Sequence, residues 1–290
     1  MALIARQLPL IPPKAPRLPV APLEYDKVML DEENNILRLY FNTIDNFGQS
    51  LNSSIGGAFL QFPYGAFHQD GNTTLTANMT NVSTTAIQVV STAGFVPVGA
   101  LLIGSELILY TGKTSTTFTG ITRGAYSTTN VAHAIGDAAT EALGTTSPTT
   151  SVAFPFTSTD ASNNVSLQTV DNTKITFAVS GYYNLQFSAQ LLNYSTSDDN
   201  VVFWWRLNGV DVPYSAGIQA VGSKHGSFPG ASIVAWNILL AINSTDYVQL
   251  VFASDSGNTV VATYPPGTAP VHPASPSVIL TATFVSALFP

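Results

Sequence analysis

Between Ile175 and Leu191, apolar or small residues take every second position: Ile175, Phe177, Val179, Gly181, Tyr183, Leu185, Phe187, Ala189 and Leu191. Thr176, Ser180, Asn184, Gln186, Ser188 and Gln190 fill most of the places between. A period of two predicts a long β-strand buried on one face, or two strands with a bend near Gly181. Shorter runs follow at Val201 to Leu207, Val210 to Tyr214 after an Asn208-Gly209 turn, Ser232 to Ile242, Tyr247 to Ala253 and Ser277 to Val285. With no helical pattern between them, they predict an antiparallel jelly-roll sandwich over residues 152–290. Upstream, Val98 to Ile103 and Glu106 to Tyr110 read as two strands joined by a Gly104-Ser105 turn, within a small β module at 81–143. The Thr-, Ser- and Gly-rich stretch 144–151 reads as a linker. Residues 56–80, punctuated by Gly56-Gly57, Pro63, Gly65 and Gly71, read as loop. The fold class is mainly β.

The period changes to that of a helix only within residues 25–55. Asp31, Glu32 and Glu33 supply an acidic first turn, and Gly48 a stop. Leu37, Tyr40, Ile44 and Phe47 fall at spacings of three, four and three, and Leu30 and Leu51 continue the seven-residue period outside these expected ends. This seam of about two heptads suits a short bundle about an oligomer axis, or an amphipathic helix packed on its own body. In both cases the seam is expected to be core.

Residues 1–24 carry another period again. The first 22 residues hold six prolines, three basic residues and no acid, with Pro13, Pro16, Pro19 and Pro22 at every third place. A polyproline II helix has three residues per turn, so these rings would line one edge of a rod about 40 Å long. Such an arm cannot fold on itself. Arg6, Leu10, Ile11, Pro13, Lys14, Pro16, Arg17, Pro19 and Pro22 are therefore its expected anchoring residues, docking on another surface.

Composition sharpens this picture. Charged residues make up 9% of the chain, so Ser, Thr, Asn and Gly carry the polarity, as on a β-rich adhesive surface. The net charge of −7, with five basic residues beyond Arg38, argues against nucleic-acid binding. Cys is absent, so no disulfide or thiolate site exists. The start lacks the basic and apolar regions of an export signal, and no apolar run is long enough to span a bilayer. A soluble protein made in a cytoplasm, without membrane insertion, is expected.

Three segments carry resemblances. The Gly181-Tyr182-Tyr183 strand, the Trp205-Arg206-Leu207-Asn208-Gly209 turn and the closing strand Val278 to Val285 resemble the C1q/TNF-type jelly roll. That likeness implies a homotrimer formed through the flat faces of the sandwich. Ile103-Gly104-Ser105-Glu106, Tyr110, Gly120-Ile121-Thr122-Arg123-Gly124 and His133 before Gly136 resemble a β module of tailed-phage tail and fibre proteins. Leu23-Glu24-Tyr25-Asp26, Leu37-Arg38-Leu39-Tyr40-Phe41-Asn42 and Ile44-Asp45-Asn46 resemble the start of structural proteins of phages of aquatic bacteria, cyanophages among them. Together they imply a virion surface protein, either a short fibre or capsid decoration or a tail-associated fibre, its arm held by capsid or tail proteins.

Chemistry is sparse by comparison. Gly112-Lys113-Thr114 lacks the earlier glycine and the following helix of a P-loop. His133, Asp137 and Glu141 would share a helical face, but Gly136 interrupts that helix, and one histidine with two carboxylates is a weak metal site. His68, His133, His225 and His272 stand singly, and Asp198-Asp199 sits in a polar turn where solvation is the default. No cofactor, metal or catalytic residue is assigned, and a non-enzymatic structural protein is expected. An alternative is a tail-fibre receptor-binding protein that contacts host glycan through 195–200 and 221–230. A polysaccharide depolymerase, which needs two carboxylates across a cleft, is a third reading.

Overall fold

The computed structural model describes residues 13–18, 24, 26–52, 62–145, 147–268 and 271–288. The chain divides into two compact units, residues 1–62 and 63–290.

In the first unit, Pro13 to Leu18 form neither helix nor strand, with Lys14, Arg17 and Leu18 exposed. The other anchoring residues, Arg6, Leu10, Ile11, Pro19 and Pro22, lie outside the described residues. The helix α1 spans Lys27–Asn52, longer at both ends than its sequence signals suggest. Asp26 is the residue that starts it: its Oδ1 accepts the backbone N–H groups of Val28 and Met29, at 2.9 and 3.5 Å. The acidic triplet 31–33 therefore lies inside the helix. Gly48 does not stop it either, because a single glycine costs only about 1 kcal/mol relative to alanine. Leu30 and Leu51 consequently fall within α1, and the seam runs for three full repeats.

The second unit is β throughout. Its early strands are β1 (Tyr64–Gln69), β2 (Asn72–Thr74), β3 (Ile87–Gln88), β4 (Gly99–Ile103), β5 (Glu106–Tyr110), β6 (Gly112–Lys113), β7 (Thr117–Thr119), β8 (Thr122–Ala125) and β9 (Ala138–Gly144). Next come β10 (Val152–Ala153), β11 (Ser158–Asn163), β12 (Val165–Leu167), β13 (Ile175–Phe177), β14 (Gly181–Asn193), β15 (Asp199–Leu207) and β16 (Val210–Asp211). The last are β17 (Gly217–Val221), β18 (Gly230–Ile242), β19 (Tyr247–Ser254), β20 (Thr259–Ala262), β21 (Gly267–Thr268), β22 (Val271–His272) and β23 (Val278–Ser286).

The alternating run from Ile175 becomes two strands, β13 and β14, with the break at 178–180. β14 is the spine of one sheet. It pairs along its whole length with β18, and its other edge meets β23 and then β20. β1 and β11 extend that sheet beyond β23. The opposing sheet centres on β15 and β19, flanked by β10, β12, β13, β16 and β17. Between the sheets lies an aromatic core in which Phe203 is fully buried, its ring 5.3 Å from Phe187 and 5.8 Å from Phe154 and Phe252.

Two expected connections are structured. The loop expected at 56–80 contains β1, which joins the sandwich sheet, and β2, which pairs with β9. Gly and Pro mark its ends, while Phe67 and Gln69 point inward at 0% and 2% exposure. The linker expected at 144–151 does not divide the β unit into separate sheets. β9 pairs with β4 of the small module and with β20 of the sandwich sheet, so one sheet runs through both.

Replacing Phe203 by Ala removes the ring that touches both sheets. A loss of about 3–5 kcal/mol is expected, read as a lowered denaturant midpoint at unchanged m-value.

Candidate functional site

The charged residues of the 81–143 module converge inside it. Glu106 opens β5 directly after the Gly104-Ser105 turn, Arg123 lies on β8, and His133 precedes β9. The Arg123 guanidinium grips both Glu106 oxygens, Nε to Oε1 at 2.6 Å and Nη2 to Oε2 at 2.7 Å. His133 Nε2 lies 2.9 Å from Oε2, and the backbone N–H groups of Gly124 and Val131 each donate at 3.1 Å. The remaining Arg123 donors reach the carbonyls of Thr80, Ser83 and Val131. Burial alone would raise the Glu106 carboxyl; these hydrogen bonds outweigh it and hold the group below its ordinary range. With its partners filled and its side chain at 0% exposure, this is a clamp that ties the loops at 80–83 and 131–133 to β5 and β8.

The helical grouping of His133, Asp137 and Glu141, against which Gly136 already argues, does not form, and Glu141 belongs to β9. Asp137 stands 4.0 Å from the His133 ring, while the Glu141 carboxylate accepts the Val96 N–H at 3.1 and 3.2 Å. Glu141 is 1% exposed. Burial pushes its carboxyl up to about 8, against the opposing pull of the Val96 N–H and Lys113. Lys113 itself donates to the carbonyls of Thr92 and Phe95, an anchor for that loop rather than a phosphate contact.

Asp199 corrects another expectation. It is buried at 2% exposure, bonded by Ser254 Oγ at 2.7 Å, Thr259 Oγ1 at 2.5 Å and the Ser256 N–H at 3.1 Å. Burial would raise it, but hydrogen bonding with Asp255, Thr259, Ser254 and Ser256 brings its carboxyl below the ordinary range. Only hydrophilic neighbours are visible in the sequence, so the inward turn of Asp199 is legible only as alternation with Val201.

The other histidines do not meet a nucleophile. His68 lies between Asp160 and Asp70, at 3.0 and 3.3 Å, and Ser158 bonds Asp70 rather than the ring. His225 closes a turn with Phe228, and exposed His272 contacts the Pro273 carbonyl. Among the described residues no cluster of His, Cys, Asp or Glu could hold a metal ion.

One outward face of the β unit is neutral and partly apolar. β14, β18 and β23 contain no Asp, Glu, Lys, Arg or His. Their outer face carries Ile233, Leu239, Ile279 and Val285 among Asn, Gln, Ser and Thr. On α1, no described side chain is fully buried: of the expected core seam, Leu30 and Ile44 are exposed and Leu37, Tyr40, Phe47 and Leu51 half-buried. Taking Leu30, Leu37, Ile44 and Leu51 as heptad position a, Glu33, Tyr40 and Phe47 fall at d. The flanking e and g positions are Lys27, Asn34, Phe41 and Gly48, and Met29, Ile36, Thr43 and Ser50. Beyond Lys27 they hold no charge. Asp31, Glu32, Arg38 and Asp45 lie on the opposite side, where Val28 and Leu39 are the apolar exceptions. No protein-family model matches the chain, and no curated protein matches it.

Glu141 sets the pH response expected in the neutral range. Its folded pKa of about 8 lies above the ordinary 4.5, so the stability it contributes in its protonated form is fully present below about pH 4.5. That contribution is lost as pH rises through 8. Thermal unfolding from about pH 5 to about pH 8.5 should show falling stability in the native chain and a flatter profile in Glu141→Gln.

Proposed function

We propose that this chain is a structural protein of a tailed-phage virion, a homotrimeric surface fibre or capsid decoration. It is held by its N-terminal arm and displays residues 63–290 outward. The observation that carries the reading is the apolar seam of α1, in which no described side chain is fully buried. A helix of 26 residues, about 39 Å long, gains most of its stability from packing an apolar face, and here that face is not fully enclosed by the described residues. Leu30 and Ile44 are 46% and 37% exposed, the flanking Phe41 62%, while Leu37, Tyr40, Phe47 and Leu51 are half-buried.

The width of the face supports three copies. A two-stranded coiled coil encloses positions a and d and lines e and g with charges. Each further helix widens the enclosed arc to e and g. Met29, Ile36 and Phe41 occupy those flanks, which suits three helices in parallel. The virion setting is supported by the resemblances of the Glu106 to His133 module and of the leading segment, and by the proline-rich basic arm ahead of α1. The large neutral face of β14, β18 and β23 fits a surface that adheres or packs.

Sedimentation of the full chain at micromolar concentration should give a trimer. Ile44→Asp, at position a, should reduce it to monomer, whereas Leu39→Asp, on the outer side, should leave the trimer intact. A monomeric native chain, or equal effects of the two substitutions, would remove the seam as the assembly element. Anchoring is tested separately, by offering the chain lacking residues 1–24 to particles that lack this protein. It should remain a trimer and fail to bind them; particles decorated by the truncated chain would refute the arm's role.

A further inference from the structure

Two tyrosines of the β unit hold left-handed backbone, Tyr126 at φ 54° and Tyr214 at φ 62°. A bulky side chain seldom adopts this conformation, because Cβ crowds the backbone there. For Tyr126 the chain itself offsets the strain. Its ring packs over Gly144, where a Cβ would come within 2.6 Å of the phenol Cε1. Tyr214 has no such compensation, since its side chain is fully exposed at 105%. Strain kept without internal benefit points outward, to a ligand.

The turn that presents Tyr214 is rigid. Val212 to Ser215 close through the Ser215 N–H to the Val212 carbonyl at 3.3 Å, with Pro213 second and Tyr214 third. Proline second and a left-handed residue third define a type II turn, whose third place ordinarily takes Gly or Asn. Ser215 Oγ donates to the Val212 carbonyl at 2.8 Å and accepts the Trp205 N–H at 3.0 Å. Val212 N–H in turn bonds the Trp205 carbonyl at 2.9 Å. The backbone that carries the phenol is thereby fixed to β15, a central strand of its sheet.

Beside it lies a depression of about 180 Å³, lined by Tyr214, Ser215, Gly217, Trp236, Asn237 and Ile238. The Trp236 indole lies on Gly217, where a Cβ would approach Cη2 to 2.7 Å, and is braced edge-on by Phe187 at 4.7 Å. Asn237 donates one N–H to Asn184 Oδ1 at 2.9 Å, leaving its carbonyl oxygen and second N–H for a ligand. No Asp, Glu, Lys, Arg or His lines the depression, so its charge complement is a neutral molecule. Its volume holds one ring and excludes a helix or strand of a partner protein.

We infer that Tyr214 and this depression bind a neutral pyranose ring, one sugar of a surface glycan. The ring's apolar face stacks on the Tyr214 phenol, and its hydroxyls meet the Asn237 amide. A single ring buries little area, so each contact is weak, with a Kd of about 1 mM. Multiple copies on one particle would make such contacts effective together. The site is independent of the assembly proposed above, since it lies on β17, β18 and the turn before them and not on α1.

The test is saturation-transfer NMR of the full chain with neutral glucose, galactose, mannose and N-acetylglucosamine and their short oligomers. At least one sugar should receive saturation from the native chain. Tyr214→Phe should keep that signal. Tyr214→Gly should weaken binding about tenfold or more while raising Tm, because glycine relieves the strained φ. No transfer to any of these sugars, or equal binding by Tyr214→Gly, overturns the site. Sedimentation of the same samples reports assembly independently, so loss of the sugar signal with an intact trimer is attributed to the turn alone.

Discussion

The β unit depends on one shared ladder, the pairing of β9. This strand of seven residues bonds β2 and β20 along one edge and β4 along the other. Through it the small module and the sandwich share hydrogen bonds that neither could satisfy alone, since an open strand edge carries unpaired N–H and C=O groups. The backbone of Glu141 is central here. Its N–H bonds the Gly71 carbonyl, and its carbonyl accepts from Thr263. A carboxyl buried at that position is tolerated because both backbone groups of the residue that carries it are paired along that edge.

A few of the scarce charges of this chain are drawn inward. Arg123, Glu106, Asp199 and Glu141 fix loops whose own side chains are too small to build a core. A buried Arg–Glu pair with every donor matched gains geometric specificity at some cost in desolvation. In a chain without cysteine, such clamps take the place that disulfides hold in other small loop-rich modules.

Much of this fold is legible from alternation alone. β14, β15, β18, β19 and β23 alternate over five or more residues, and each falls within two residues of its expected limits. Elements that fail to announce themselves are those whose partners are distant. β1 and β2 sit among glycines and a proline, and only pairing with β11, β23 and β9 makes strands of them. The Glu106 clamp is visible as a motif but not as a contact, because its three residues span 27 positions. Position 214 reads in the sequence as the end of a strand. Its departure is set by Pro213 and by the buried Ser215, features that signal a turn only once the Trp205 backbone is seen to bond them. On α1, local signals place the ends inside the helix, whereas the heptad period carries the true length.

The neutrality of β14, β18 and β23 reaches beyond packing. Salt acts on protein surfaces by screening charge, and over an ordinary Debye length of about 10 Å these strands present none to screen. Whatever meets this face is held by dispersion and by water released from apolar surface, neither of which fades as ions are added. The same absence withholds long-range steering, so encounters are slow and unselective until the surfaces touch. Such a face suits repeated contact at high local density better than rapid capture of a rare partner.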